Sequence, residues 1–278
     1  MFQVEHPDQG SKCSTWNILP PREGTVITDT WKVAWLQLRK GIRTPFFFAW
    51  TAGTATLVLA LNHITFFEFG PNSQVLELFH STLLLSAAVL GIVTFSELQA
   101  ELQRASFDLV DLRLPDPLAF QLGVLGGTVL QVGASAATSV LLYAVDSIAC
   151  GQADALLPIC QVWLVAFVQS GVLLSFFLFC AALLPDFWAP LAMLLGFAGG
   201  NLSTPVRGPG EGPVTYLVAA LFSVVPDLSV DVQIVGGHSR GPLEWLFLGT
   251  YVISYIVTMS YASMVLVNWR RRRGLSAR

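Results

Sequence analysis

Few side chains in this 278-residue chain are of a kind that does chemistry, and their spacing narrows what that chemistry could be. The four cysteines (Cys13, Cys150, Cys160, Cys180) form no CxxC pair and have no histidine at zinc-ligand spacing, so neither a zinc site nor a redox pair is expected. Cys150 and Cys160 could meet near the outer face, but isolated small apolar residues is the simpler reading. Glu77 and His80 stand three apart, on one face of a helix, and together with His63 they could hold a metal ion at the outer surface. The ordinary alternative for such interfacial groups is satisfaction by water or headgroups. There is no GxxxxGK[ST], indeed no Gly-Lys pair, so ATP is not bound here through a P-loop, and there is no HExxH. No catalytic, cofactor-binding or metal residue is therefore assigned.

The one dense group of charges is Ser96–Pro117, SELQAELQRASFDLVDLRLPDP. At 100° per residue, Glu97, Glu101, Arg104, Asp108 and Asp111 fall within about 80° of one another. Leu98, Ala105, Leu109 and Leu112 occupy a neighbouring face, and Pro115 and Pro117 stop the helix. The spacing predicts an amphipathic helix of about four turns with an acid-rich face. Helices that lie on lipid usually show Lys and Arg there, because headgroups are anionic. An acidic face suits a protein partner better. A plain solvated loop helix is the bland alternative.

The elements that must position this stretch are apolar. The chain is 54% hydrophobic and 12% charged, with mean hydropathy +0.63, whereas soluble domains carry about 25% charged residues. That composition describes a membrane protein. Net charge is −3 and the bases form no groove with interleaved aromatics, so no nucleic-acid partner is expected. The first residues are polar and hold acids and prolines, unlike a secretory signal, and read as a poorly ordered cytoplasmic tail over 1–28.

Thr28-Asp29-Thr30 offer N-cap residues to a connector helix, Trp31–Arg43, within 29–44. Trp31, Trp35, Leu38 and Ile42 project on one line, with Lys32, Arg39 and Arg43 about 100° away, the pattern of a helix in the cytoplasmic interface. Six spans follow within 45–269: Phe46–Phe67, Val75–Phe95, Leu118–Val145, Leu156–Leu184, a short Phe187–Gly200 and Leu243–Val267. The turn at 185–190 makes the fourth and fifth a tight hairpin. Thr215–Val225 is apolar but too short to span and is stopped by Pro226, so it reads as re-entrant or interfacial on the outer side. A basic tail, 270–278, closes the chain.

With the amino terminus inside, thirteen Lys and Arg lie on the cytoplasmic side and only Arg207 and Arg240 outside. Both termini and the acidic helix are then cytoplasmic, and the expected location is a cell (inner) membrane. No Asp, Glu, Lys or Arg falls at mid-depth in a span, where ion-coupled carriers usually keep such groups. Energy would then enter from outside the membrane. Gln121, Gln131, Gln161 and Gln169 are expected to hydrogen-bond between helices.

This order of elements resembles an ABC-2 type transporter permease, in particular the stand-alone permeases such as the nitrous-oxide-reductase maturation group. WLQLRKGIRTPFF is similar to that family's connector into the first span. SELQAELQRASFDLVDLRLPDP resembles its coupling loop, LFSVVPDLSV its outer re-entrant segment with the following Pro, and YASMVLVNWRRRR its sixth span with a basic exit. The likeness covers roughly Trp31–Arg273 and rests on position and residue class. Ala105-Ser106 stands where Gly-Thr is common, one extra residue precedes Pro115, and Val124 replaces a frequent basic residue. The resemblance implies an all-α membrane protein, a second permease copy or paralogue, and a separate ABC ATPase dimer that binds ATP, so that no cofactor belongs to this chain. It implies ATPase docking at Glu97, Glu101, Arg104, Asp108, Asp111 and Pro115, with Trp31, Trp35 and Arg39 in the interfacial connector. Export is the usual direction. The alternative is a carrier or channel that works alone on a neutral or lipid-like substrate.

Overall fold

The structure is a computed structural model that describes residues 26–69, 73–103, 117–151, 156–185, 187, 188–201, 224–226, 228 and 242–276. All of the regular structure among the described residues is helical: α1 (Val26–Ile42), α2 (Pro45–Phe69), α3 (Ser73–Gln103), α4 (Pro117–Ala149), α5 (Leu156–Leu183), α6 (Trp188–Asn201) and α7 (Pro242–Ser276). Four contain stretches long and apolar enough to cross a membrane: Glu77–Gln99, Leu118–Ala149, Ile159–Leu183 and Gly249–Trp269. Pro45–Ala60 and Trp188–Gly200 are shorter apolar helices.

Helix starts follow from sequence. Thr44 caps α2: its Oγ1 accepts from the Phe47 amide at 3.3 Å, and Pro45 takes the first helical position, where a missing N–H costs nothing. Pro117 does the same for α4. The α5–α6 hairpin closes through Pro185, whose carbonyl accepts from the Trp188 and Ala189 amides at 3.0 and 3.2 Å.

The bundle is built round α5. Its sequence is apolar on every side, and a helix of that kind is stable only when surrounded. Leu173, Leu174 and Phe177 are fully buried. They share one core with Leu84, Ala87 and Phe95 of α3, Val124 and Val132 of α4, Met193 of α6, and Val252 and Tyr255 of α7. A second, smaller core holds Val58, Phe79, Leu83, Tyr143, Ile159 and Val162. α7 lies at the periphery, with Ile253, Val257 and Tyr261 all exposed by more than half.

Two expectations are corrected. α1 begins at Val26, so Thr28-Asp29-Thr30 lie within the helix rather than before it. Thr30 Oγ1 donates back to the Val26 carbonyl (2.8 Å) and Asp29 pairs with Lys32 (3.2 Å), which uses both side chains inside the first turns. The membrane helix over 75–95 does not end where the acids begin: α3 continues unbroken to Gln103, since neither Pro nor Gly interrupts Ile92–Gln103. The last helix, α7, runs on through Arg270–Arg273 of the basic tail to Ser276.

Candidate functional site

The sequence-predicted docking face lies partly on described residues. Glu97 is exposed on α3, and its Oε2 is 3.9 Å from Lys40 Nζ on α1. Glu101 falls in the last turns of α3, with its side chain outside the described residues; Arg104, Asp108, Asp111 and Pro115 lie outside them altogether. On the opposite side of α3, Gln99 is buried and donates to the Leu184 carbonyl at 2.5 Å. The polar end of α3 is therefore tied to the residue that follows α5 by Gln99, and on its other flank Glu97 faces Lys40 of α1 across an exposed pair.

α1 is more than an interfacial helix. Ala34 is 3% exposed, and the line Thr30, Val33, Ala34, Gln37, Gly41 packs on α4. The approach is close because α4 presents glycine: a Cβ on Gly127 would sit 2.6 Å from the Ala34 carbonyl, and one on Gly123 2.9 Å from that of Thr30. Gln131 Nε2 adds a hydrogen bond to the Gln37 carbonyl (2.7 Å). Gly123-x-x-x-Gly127 is the small-residue spacing that lets helices meet backbone to backbone in membranes, and it was the sequence signal for this contact. Trp31 and Trp35 remain 61% and 54% exposed, beside exposed Arg39 and Lys40. A small cleft runs from Gln37 and Lys40 past Thr44 to Thr94, Glu97 and Gln131. So α1, α3 and α4 converge on one polar edge.

The outer metal candidate does not assemble. His63 Nε2 lies 3.3 Å from Asp146 Oδ1 on α4, His80 turns inward to Gln169 on α5, and Glu77 is exposed. Among the described residues no group of three His, Cys, Asp or Glu could hold a metal ion. Local spacing placed Glu77 and His80 on one turn but carried no information about the rotation of α3 against α5. Cys150 and Cys160 are both free and exposed, and Cys180 is free and buried.

Of the four glutamines, Gln131 and Gln169 do bond between helices. Gln161 is exposed, and Gln121 is buried with no partner for its Oε1. His80 is 3% exposed, so an imidazole does sit inside the bundle. Its Nε2 lies 2.6 Å from Gln169 Oε1; Gln169 Nε2 in turn donates to the Leu228 carbonyl at 3.2 Å.

Gly237-His238-Ser239-Arg240-Gly241 has the GxSxG spacing of a hydrolase nucleophile elbow. That motif works at a strand-turn-helix junction; the tract lies outside the described residues, and those hold no strand. The expected re-entrant segment Thr215–Val225 is described only at Val224 and Val225. No protein-family model and no curated protein matches this chain.

Proposed function

We propose that this chain is the membrane-spanning permease subunit of an ATP-binding-cassette transporter of the ABC-2 type, an exporter with six spans. In this reading α2 and α6 complete the set begun by the four longer apolar helices, and both termini face the cytoplasm of a cell (inner) membrane. Two permease copies or paralogues sit over a separate ATPase dimer, which docks on the polar end of α3 and the stretch through Pro115. The segment ending at Val225 dips into the outer side.

The observation that carries the reading is the joint at that end. Gln99 ties the acidic end of α3 to the residue that follows α5, Lys40 faces Glu97 from α1, and α1 is packed along α4. A force applied to Glu97 and Glu101 would pass directly to three apolar helices, which is what a transporter driven from outside the membrane requires. The amphipathic α1, with Trp31, Trp35 and Arg39 exposed, suits an interfacial connector. The chain itself binds no ATP, having no P-loop sequence.

A Glu97→Lys, Glu101→Lys chain tests the docking face. It should insert normally and lose most of its stimulation of the partner ATPase. Full binding and stimulation by that variant would rule out docking at this end.

A carrier that works alone is the second reading, and the buried His80 is the observation that favours it, since ionisable groups inside a bundle commonly mark proton or substrate paths. Transport by the purified chain without any ATPase would select it.

A further inference from the structure

Pro226 and Leu228 are non-helical backbone inserted into a helical bundle, and Val224 just before them is helical and partly exposed. Pro226 and Leu228 are fully buried, and Leu228 belongs to the main core. The contact is deep, because Gln169, which holds Leu228, lies half-way along α5. Non-helical backbone at such depth is stable only where protein satisfies its polar groups. Here three helices supply the partners, and a fourth, α3, backs one of them. The Leu228 amide donates to the Gly200 carbonyl of α6 at 3.2 Å. Its carbonyl accepts from Gln169 of α5, and Gln169 accepts from His80 of α3. The Tyr255 hydroxyl of α7 donates to the Val224 carbonyl at 2.6 Å.

The chain of bonds has a fixed direction. Gln169 must turn its NH2 to a carbonyl, so its oxygen faces His80, and His80 Nε2 is the donor. The fit is equally specific at Gly200, where a Cβ would stand 2.7 Å from the Pro226 carbonyl and 2.9 Å from Leu228 Cγ. A helix satisfies its own backbone, but this segment depends on side chains from α5 and α7. Removing Gln169 leaves the buried Leu228 carbonyl without that donor, and removing the Tyr255 hydroxyl takes the donor from the part-buried bond to Val224.

The geometry points to a clasp: Val224, Pro226 and Leu228 close the bundle between α5, α6 and α7, and the His80–Gln169 pair is the latch that holds them shut. It opens by leaving the bundle while the α3–α5 core stays packed. This goes beyond the permease reading and needs no ATPase partner.

The test uses the full chain in membranes, with Cys13, Cys150, Cys160 and Cys180 replaced by Ala and one cysteine introduced as Leu228→Cys. Labelling by a charged, membrane-impermeant thiol reagent reports opening, and Ser263→Cys, at a fully buried position of α7, is the control. Gln169→Leu should speed labelling at 228 about fivefold to tenfold, the effect of one lost hydrogen bond, with 263 still protected. His80→Gln, which can still donate to Gln169, should label nearly as slowly as the parent. Unchanged labelling at 228 in Gln169→Leu would overturn the clasp. If 228 and 263 become reactive together in Gln169→Leu, Tyr255→Phe decides: a rise at 228 alone upholds the clasp, and any other result overturns it.

Discussion

Gln99, Gln131 and Gly127 show how single side chains hold this bundle together. Gln99 supplies a donor to the Leu184 carbonyl, which sits beside Pro185 and has no following helix turn to bond to. Gln99→Leu leaves that carbonyl without its donor and should cost about 1–3 kcal/mol, read as a lower midpoint for thermal unfolding in detergent. Gly127→Val places methyl groups against the Ala34 carbonyl, and overpacking of that kind costs about 1–3 kcal/mol. Gly53→Ala is the matched control: a Cβ there meets nothing within 4 Å, so the midpoint should not fall. Equal losses from Gly127→Val and Gly53→Ala would show that α1 does not depend on the glycine face of α4.

At the scale of elements, α1 has two working faces. Ala34 and Gln37 face α4, while Trp31 and Trp35 are left exposed beside Arg39 and Lys40. A chain with Trp31→Ala and Trp35→Ala should lose a measurable part of its tryptophan quenching by brominated lipid yet keep its unfolding midpoint. No change in quenching would take these rings out of the membrane interface. Much of this element level was legible beforehand. Apolar run lengths located α2 to α7, the Pro45 and Pro117 starts were readable, and the hairpin at Pro185 follows from the shortness of its turn. What local pattern could not supply was pairing. The α1–α4 contact joins residues about 90 positions apart, and only the Gly123-x-x-x-Gly127 spacing hinted at it. His63, Glu77 and His80 looked convergent because periodicity fixes a face within one helix, whereas Asp146 and Gln169, the actual partners of His63 and His80, come from α4 and α5. The acidic stretch was separated from the preceding helix on hydropathy, but a change of polarity does not break a backbone. α3 runs through it.

For the whole molecule, the arrangement is a core gathered on α5, with one polar edge where α1, α3 and α4 meet and one inserted segment held by α5, α6 and α7. The permease account gives each of these a part: the polar edge receives the partner, α5 carries the displacement, and the apolar helices do the moving. It also predicts that the isolated chain is inert, since energy must come from a protein that docks at Glu97 and beyond. The most direct test is purification of the tagged chain from its native membranes in mild detergent, with its partners identified by mass spectrometry. The account predicts a stoichiometric P-loop ATPase that is lost when Glu97, Glu101 and Asp108 are changed to Lys. A chain that comes out alone and transports without ATP, or one held by an unrelated membrane enzyme, would contradict it.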